Sequence, residues 1–345
     1  IRDSRGEEAW YHWPEPLRQR ASPALEAFHL QHQRAVEQVR FEQFLFHVQW
    51  QAMRHYGRDR GVLLFGDIPI FVAHDSADVW ANPEVFRLDD YGHPLVVAGV
   101  PPDYFSPDGQ HWGNPLYDWA AMARQDYRWW IDRLASQREK FDLLRIDHFR
   151  GLQAFWEIPA ADARPIMGHW MAGPGEAFLS ACFEQLPDLP LIAENLGVIG
   201  AEVEALRHRF SLPGMTVMQF GFDGSAGNPH LLHNHKEGDL VYTGTHDNDT
   251  TLGWYRSLDA NTRSYVNRYL RMSEDKQPLP IVQAALGSVS KLVIIPMQDL
   301  LGLDSQARFN TPGTMSNNWI WQLPVNFLEL TDPESIKMMV GLYGR

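Results

Sequence analysis

Apolar residues in this chain fall first into a helical and then into a strand-like rhythm. Between about residues 22 and 59, "ALEAFHL" and "FEQFLFHVQWQAMRHY" carry apolar groups at helical spacing. "GVLLFGDIPIFV" (61–72) is an apolar, β-rich run that contains Pro69. A stretch rich in Gly and Pro with no steady period follows to about residue 118 and reads as loop. A helix around 119–140 ends in "DYRWWIDRLASQREK", whose Trp129 and Trp130 read as core. Short apolar strands then recur at "DLLRID" (142–147), "LPLIAEN" (189–195), "TVMQFGF" (216–222), "DLVYTGTHD" (239–247) and "KLVIIPMQD" (291–299). Most are separated by stretches long enough for a helix, such as "GAEVEALRHRF" (200–210) and "TRSYVNRYLRM" (262–272).

Strand, helix, strand at this spacing predicts parallel strands joined by helical crossovers. Several of the strands end in a carboxylate: Asp67, Asp147, Glu194, Asp247 and Asp299. Both a (β/α)₈ barrel and a doubly wound sheet put their chemistry at the C-terminal ends of strands. The pattern therefore leaves the two architectures open. No G-x-G-x-x-G follows a strand, and there is no Walker loop, zinc spacing or internal repeat.

Composition narrows the partners. The net charge is −13, with the acidic residues scattered along the chain, which argues against nucleic acid and anionic membranes. No run approaches the roughly 18 consecutive apolar residues of a membrane span. Cys182 is the single cysteine and sits in a helical run, so an internal disulfide is excluded and a reducing, cytoplasmic location is expected.

Taken singly, each strand-end carboxylate has a structural explanation as a helix cap or a partner for an Arg. Asp147, Glu194 and Asp247 are harder to dismiss together, because they lie about fifty residues apart, each at the end of a different strand. Carboxylates gathered on one rim repel one another, and glycoside chemistry gives a reason to gather them. Arg145 and Asp147 are two apart on one strand and point to the same side; alone, this pair reads as a structural ion pair. His246 beside Asp247 in "GTHDNDT" supplies a donor next to an acceptor. The loop "AGVPPDYFSPDGQHWGNPLYDW" (98–119) offers Tyr104, Phe105, Trp112, Tyr117 and Trp119 for sugar faces. In the same loop Asp103, Gln110 and Asn114 can hydrogen-bond hydroxyls. Self-packing of this loop is the competing explanation.

"GDIPIFVAHDSADVW", "VAGVPPDYFSPDGQHWGNPLYDW", "RIDHFRG", "IAENLGVI", "LPGMTVMQF" and "YTGTHDNDTT" together resemble the 4-α-glucanotransferase (amylomaltase, disproportionating enzyme) family, and most of all its bacterial maltodextrin-pathway type. The resemblance runs from about Glu8 to the C-terminus. It implies Asp147 as nucleophile, Glu194 as general acid/base and Asp247 as transition-state stabiliser. Arg145 and His246 would line the same subsite. Asp67, Gln110, Trp112 and Asn114 would contact substrate, with Asp103, Tyr104, Phe105 and Ser106 arching over the acceptor side. The resemblance implies no cofactor and no metal. It also implies maltooligosaccharides and α-1,4-glucans as donor and acceptor, transferred with retention of configuration. Asn195 stands where many relatives carry Asp, and Gln322 where Arg is usual.

The fold so implied is α/β, a (β/α)₈ TIM barrel with loop insertions. With six strands counted, residues 1–345 are expected to hold roughly strands 3 to 8 as the C-terminal major part of the catalytic domain. The insertion loop would span about 73–118, and a barrel-completing N-terminal segment of the same protein is expected before Ile1. Two other functions fit the same residues: an α-glucan hydrolase of the same clan, and a non-catalytic glucan-binding fragment.

Overall fold

The computed structural model describes residues 1–102, 108–272, 278–314 and 316–345, and these form two compact units, Ile1–Leu212 and Pro213–Arg345. Both are α/β. The first contains a parallel and an antiparallel sheet, and the second contains a parallel sheet.

In the first unit, β1 (Phe65–Ile68), β4 (Leu143–Ile146) and β7 (Leu191–Ala193) make a parallel sheet in the order β1-β4-β7. The run at 61–72 forms only four residues of strand, because Pro69 has no N–H for the ladder. On β4, Leu144 and Ile146 are buried in the core, while Arg145 sits opposite Asp67 in register. Behind the sheet pack Trp130 and Leu134, Phe178 and Cys182, and Val203 and Leu206, from the helices Arg128–Arg138, Gly175–Gln185 and Ala201–Arg209.

Two helices expected as single elements are divided. Residues 22–59 form Ser22–Gln31 and Gln33–Arg58, with a break at His32. Residues 119–140 form Trp119–Arg124 and Arg128–Arg138, because Asp126 and Tyr127 both take left-handed φ values, 50° and 57°. Neither break falls on Gly or Pro, so composition does not announce it.

The stretch expected as an insertion loop has more order than its lack of period suggests. It contains β2 (Val96–Val100) and β3 (Gln110–Pro115), which join β5 (Ala154–Pro159) and β6 (His169–Ala172) in an antiparallel sheet of order β3-β2-β5-β6. Gly99 lets β3 close in: a Cβ there would lie 2.2 Å from the Gln110 carbonyl oxygen.

In the second unit, β8 (Met215–Val217), β9 (Leu240–Tyr242) and β10 (Leu292–Ile294) form a parallel sheet of order β10-β9-β8. All six strands expected from the sequence are therefore present, and each pairs in parallel within its own unit. Among the described residues, no helix is long and apolar enough to cross a membrane.

Candidate active site

The parallel ladder of the first unit runs on into its strand ends. The Asp147 N–H donates to Ile68 O at 3.0 Å, and the Glu194 N–H donates to Ile146 O at 3.0 Å. These bonds set Asp147 and Glu194 one residue beyond adjacent strands, β4 and β7. Arg145 stands between the carboxylates of β1 and β4. Its Nε and Nη2 donate to the two oxygens of Asp67 at 2.8 and 2.6 Å, and Nη2 also reaches Asp147 Oδ1 at 2.9 Å. Burial alone would lower the Arg145 pKa. The hydrogen bond and charge of Asp67, with the charges of Asp147 and Glu194, drive it well above its ordinary value instead.

Glu194 has a different environment. Its side chain remains partly accessible, yet desolvation by its surroundings and then the Asp147 charge push its pKa from an ordinary 4.5 up to about 7. The Arg145 charge opposes this, as do the N–H groups of Leu196 and His148, which donate to Oε1 at 2.9 Å and Oε2 at 2.7 Å. A carboxyl that holds its proton near neutral pH suits the general acid/base role implied for it. The amide of Asn195 donates to Glu204 Oε1 at 2.8 Å on the next helix.

Trp112 reaches this group from β3. Its ring meets His148 edge-on, with centroids 4.9 Å apart. Two neighbours on β3 have structural partners: Gln110 Oε1 accepts from Trp112 Nε1 at 3.0 Å, and the Asn114 amide donates to Val72 O at 2.9 Å. Tyr117 belongs to the core, 1% exposed, with its hydroxyl on Ile70 O at 2.7 Å. Self-packing therefore accounts for this part of the aromatic stretch. Asp103, Tyr104, Phe105 and Ser106 lie outside the described residues.

The second unit holds its own group in the turn that follows β9, beyond the strand end expected for Asp247. The Thr245 N–H and hydroxyl both donate to Asn248 Oδ1 at 2.8 Å, closing a turn that presents His246 and Asp247. Asn310 Nδ2 donates to Asp247 Oδ1 at 2.6 Å, and Arg308 donates to the Asp247 carbonyl at 2.6 Å. His246 Nε2 lies 3.4 Å from Asp247 Oδ2. A pocket of about 220 Å³ opens here, lined in part by Thr245, His246, Asn248, Asp249, Arg308 and Phe309. Arg308 and Asn310 were not anticipated, since "SQARFNTPG" has no period and no strand to mark it.

Asp299, expected at a strand end, lies instead in the helix Met297–Leu300 that follows β10, and it is structural. It is 3% exposed and accepts from Thr243 Oγ1 at 2.5 Å, Thr251 Oγ1 at 2.6 Å and the Thr251 N–H at 2.8 Å. Burial raises its pKa, against the pull of these donors. Gln322 is exposed in an irregular segment.

An α/β chain with a charge-paired Asp and a proton-holding Glu on adjacent parallel strand ends is organised like a glycosidase or transglycosidase. The 4-alpha-glucanotransferase family model matches residues 1–328, and the chain belongs to that family. It is 46% identical over 341 residues to the chloroplastic/amyloplastic 4-alpha-glucanotransferase of Arabidopsis thaliana, covering 98% of this chain and 59% of that protein. It is 47% identical over 331 residues to the 4-alpha-glucanotransferase of Thermus thermophilus, covering 94% of this chain and 66% of the relative. The chain thus spans about three-fifths to two-thirds of these relatives. Among solved structures, amylomaltase from Streptococcus agalactiae in complex with acarbose superposes with a TM-score of 0.95 at 36% identity, covering all of this chain and 70% of that one. Amylomaltase from Corynebacterium glutamicum shares the fold, with a TM-score of 0.70 at 18% identity over 88% of this chain and 49% of that one.

Proposed function

We propose that this chain carries the catalytic residues of a 4-α-glucanotransferase that moves α-1,4-glucan segments between maltooligosaccharides by a retaining double displacement. The observation that carries this is the division of labour between two carboxyls on adjacent strand ends. Glu194 holds its proton to about pH 7, while Asp147 lies 2.9 Å from a guanidinium. In this reading Glu194 protonates the glycosidic oxygen as Asp147 attacks the anomeric carbon. The C–O bond to the leaving chain breaks and a covalent glycosyl ester forms. The Glu194 carboxylate then takes the proton of an incoming glucan hydroxyl, and that oxygen displaces Asp147 with a second inversion. Retention requires the two carboxyl groups to stand about 5–5.5 Å apart.

Asp247, held by Asn310, is the transition-state stabiliser, gripping sugar hydroxyls with His246 beside it. Arg145 and Asp67 fix the nucleophile's surroundings, and Trp112 offers a sugar-stacking face. Asp103, Tyr104, Phe105 and Ser106 belong to the acceptor side, and Gln110 and Asn114 contact substrate hydroxyls. A (β/α)₈ barrel carries its active face at the C-terminal ends of its strands, the end at which the parallel sheet of the first unit carries Asp147 and Glu194.

Incubation with maltotriose tests the proposal. Transfer yields glucose and a ladder of longer maltooligosaccharides. Glucose and maltose with no longer products would establish the hydrolase instead, and no turnover would leave a glucan-binding role.

A further inference from the structure

His148 lies between the two carboxyls in sequence and is part of neither role, yet its backbone leaves the strand conformation for the left-handed region. Its φ is +53°, in the left-handed region that a residue with a Cβ occupies only when its surroundings impose it. In that conformation its backbone N–H points away from the strand ladder and donates to Glu194 Oε2 at 2.7 Å. The ring is fixed on two sides. Trp112 meets it edge-on at 4.9 Å, and Gly151 leaves room for it, since a Cβ there would stand 3.1 Å from His148 Cδ2. Nε2 is buried with no hydrogen-bond partner among the described residues. Desolvation, and then the neighbouring Arg150 charge, hold the imidazole neutral by lowering its pKa to about 3. A neutral imidazole brings no charge to Glu194, and what the residue brings to that carboxyl is its backbone N–H.

We propose that His148 is a positioning residue for Glu194: its left-handed backbone, anchored by a ring set between Trp112 and Gly151, aims its own N–H at Oε2 and so fixes the orientation of that carboxyl. The charged groups that face Glu194 in this unit are Asp147 and Arg145, and the Leu196 N–H holds its other oxygen. The His148 N–H favours the ionised form. Losing it therefore raises the pH at which Glu194 gives up its proton. This inference takes its importance from the acid/base role proposed for Glu194, but its test does not depend on turnover.

The test is the series His148→Asn, His148→Gly, His148→Ala and His148→Val. Asn and Gly accept the left-handed conformation, Ala resists it, and a β-branched Val resists it most. The Glu194 titration is followed by ¹³C NMR of protein labelled at glutamate carboxyls, its signal identified by its loss in Glu194→Gln. Maltotriose turnover and thermal unfolding are measured alongside. In His148→Asn the midpoint should stay at the wild-type value. In His148→Val it should rise by about one pH unit, with kcat at least tenfold lower and KM changed less than kcat. If His148→Val does not fold, Ala against Asn makes the same comparison. A Val or Ala variant that titrates like the wild type overturns the proposal. So does an Asn variant shifted as far as Val, because a residue that accepts the left-handed backbone would then fail to aim the N–H at Glu194. A wild-type chain without transferase activity would refute the proposed function while leaving the titration comparison readable.

Discussion

The raised pKa of Glu194 makes the stability of the folded chain depend on pH, and Glu194→Gln isolates that dependence. In the unfolded chain the carboxyl ionises near 4.5, and in the folded chain near 7. Between these values the unfolded state has released a proton that the folded state still holds. The stability linked to this group is therefore fully present below about pH 4.5 and is lost as pH rises through about 7. At about 1.4 kcal/mol per pH unit, the loss across that window is about 3 kcal/mol. Gln removes the titration and adds a constant cost. It offers one oxygen where Glu194 gives one to Leu196 and one to His148, so an N–H loses its acceptor, at about 1–3 kcal/mol. Glu194→Gln should thus be less stable than the wild type at pH 4.5 and level with it, or more stable, at pH 8. Equilibrium urea unfolding of both proteins at the two pH values, followed by tryptophan fluorescence, measures the difference. The decisive quantity is its change with pH, in which the constant cost cancels. Curves that stay parallel from pH 4.5 to 8 would refute the account of Glu194 as a proton-holding carboxyl. Asp147→Asn supplies a control, since removing the second cause of the raised pKa should narrow the window.

Two further outcomes follow from the second unit. Asp247→Asn should lower kcat by about a hundredfold or more with little change in KM, because its hydrogen bonds are proposed to tighten only in the transition state; unchanged kcat with a greatly raised KM would make it a plain binding residue. Asp299→Ala should lower stability by about 3 kcal/mol, read as a fall in urea midpoint, because it strands the Thr251 N–H and two threonine hydroxyls in a buried setting; a wild-type midpoint would contradict the structural role given to Asp299.

Much of the fold could be read from the chain because parallel strands buried on both faces write themselves as short apolar runs. All six were visible, and Pro69 explains why the first is shorter than its apolar run. The antiparallel sheet was not visible. Its strands mix Gly, Pro and polar residues, as in "QHWGNP", and one of them depends on Gly99 admitting Gln110 to close range. That is a tertiary contact, which no local period records. The helix breaks at His32 and at Asp126–Tyr127 escaped because neither falls on Gly or Pro, the residues that mark a break in the sequence.

The site divides along the same line. Residue types at strand ends were legible: Arg145 does meet Asp147, and the ladder bonds to Ile68 and Ile146 set the two carboxyls where the strand pattern puts them. The fate of a single carboxylate was not. Asp299 and Glu194 both close apolar runs in the sequence, yet Asp299 lies in the helix Met297–Leu300 beyond β10, collects three donors from Thr243 and Thr251 and serves the fold. Glu194 is desolvated beside a like charge and keeps a proton. Nothing within either strand distinguishes them, because the difference lies in what other segments bring: threonines from beyond β9 in one case, Asp147 and the left-handed His148 in the other. A strand-end acid is therefore only a candidate until its donors are known. Burial raises the pKa of both acids here; what separates them is that Asp299 is closed in by Thr243 and Thr251, while Glu194 stays partly accessible beside the Asp147 charge.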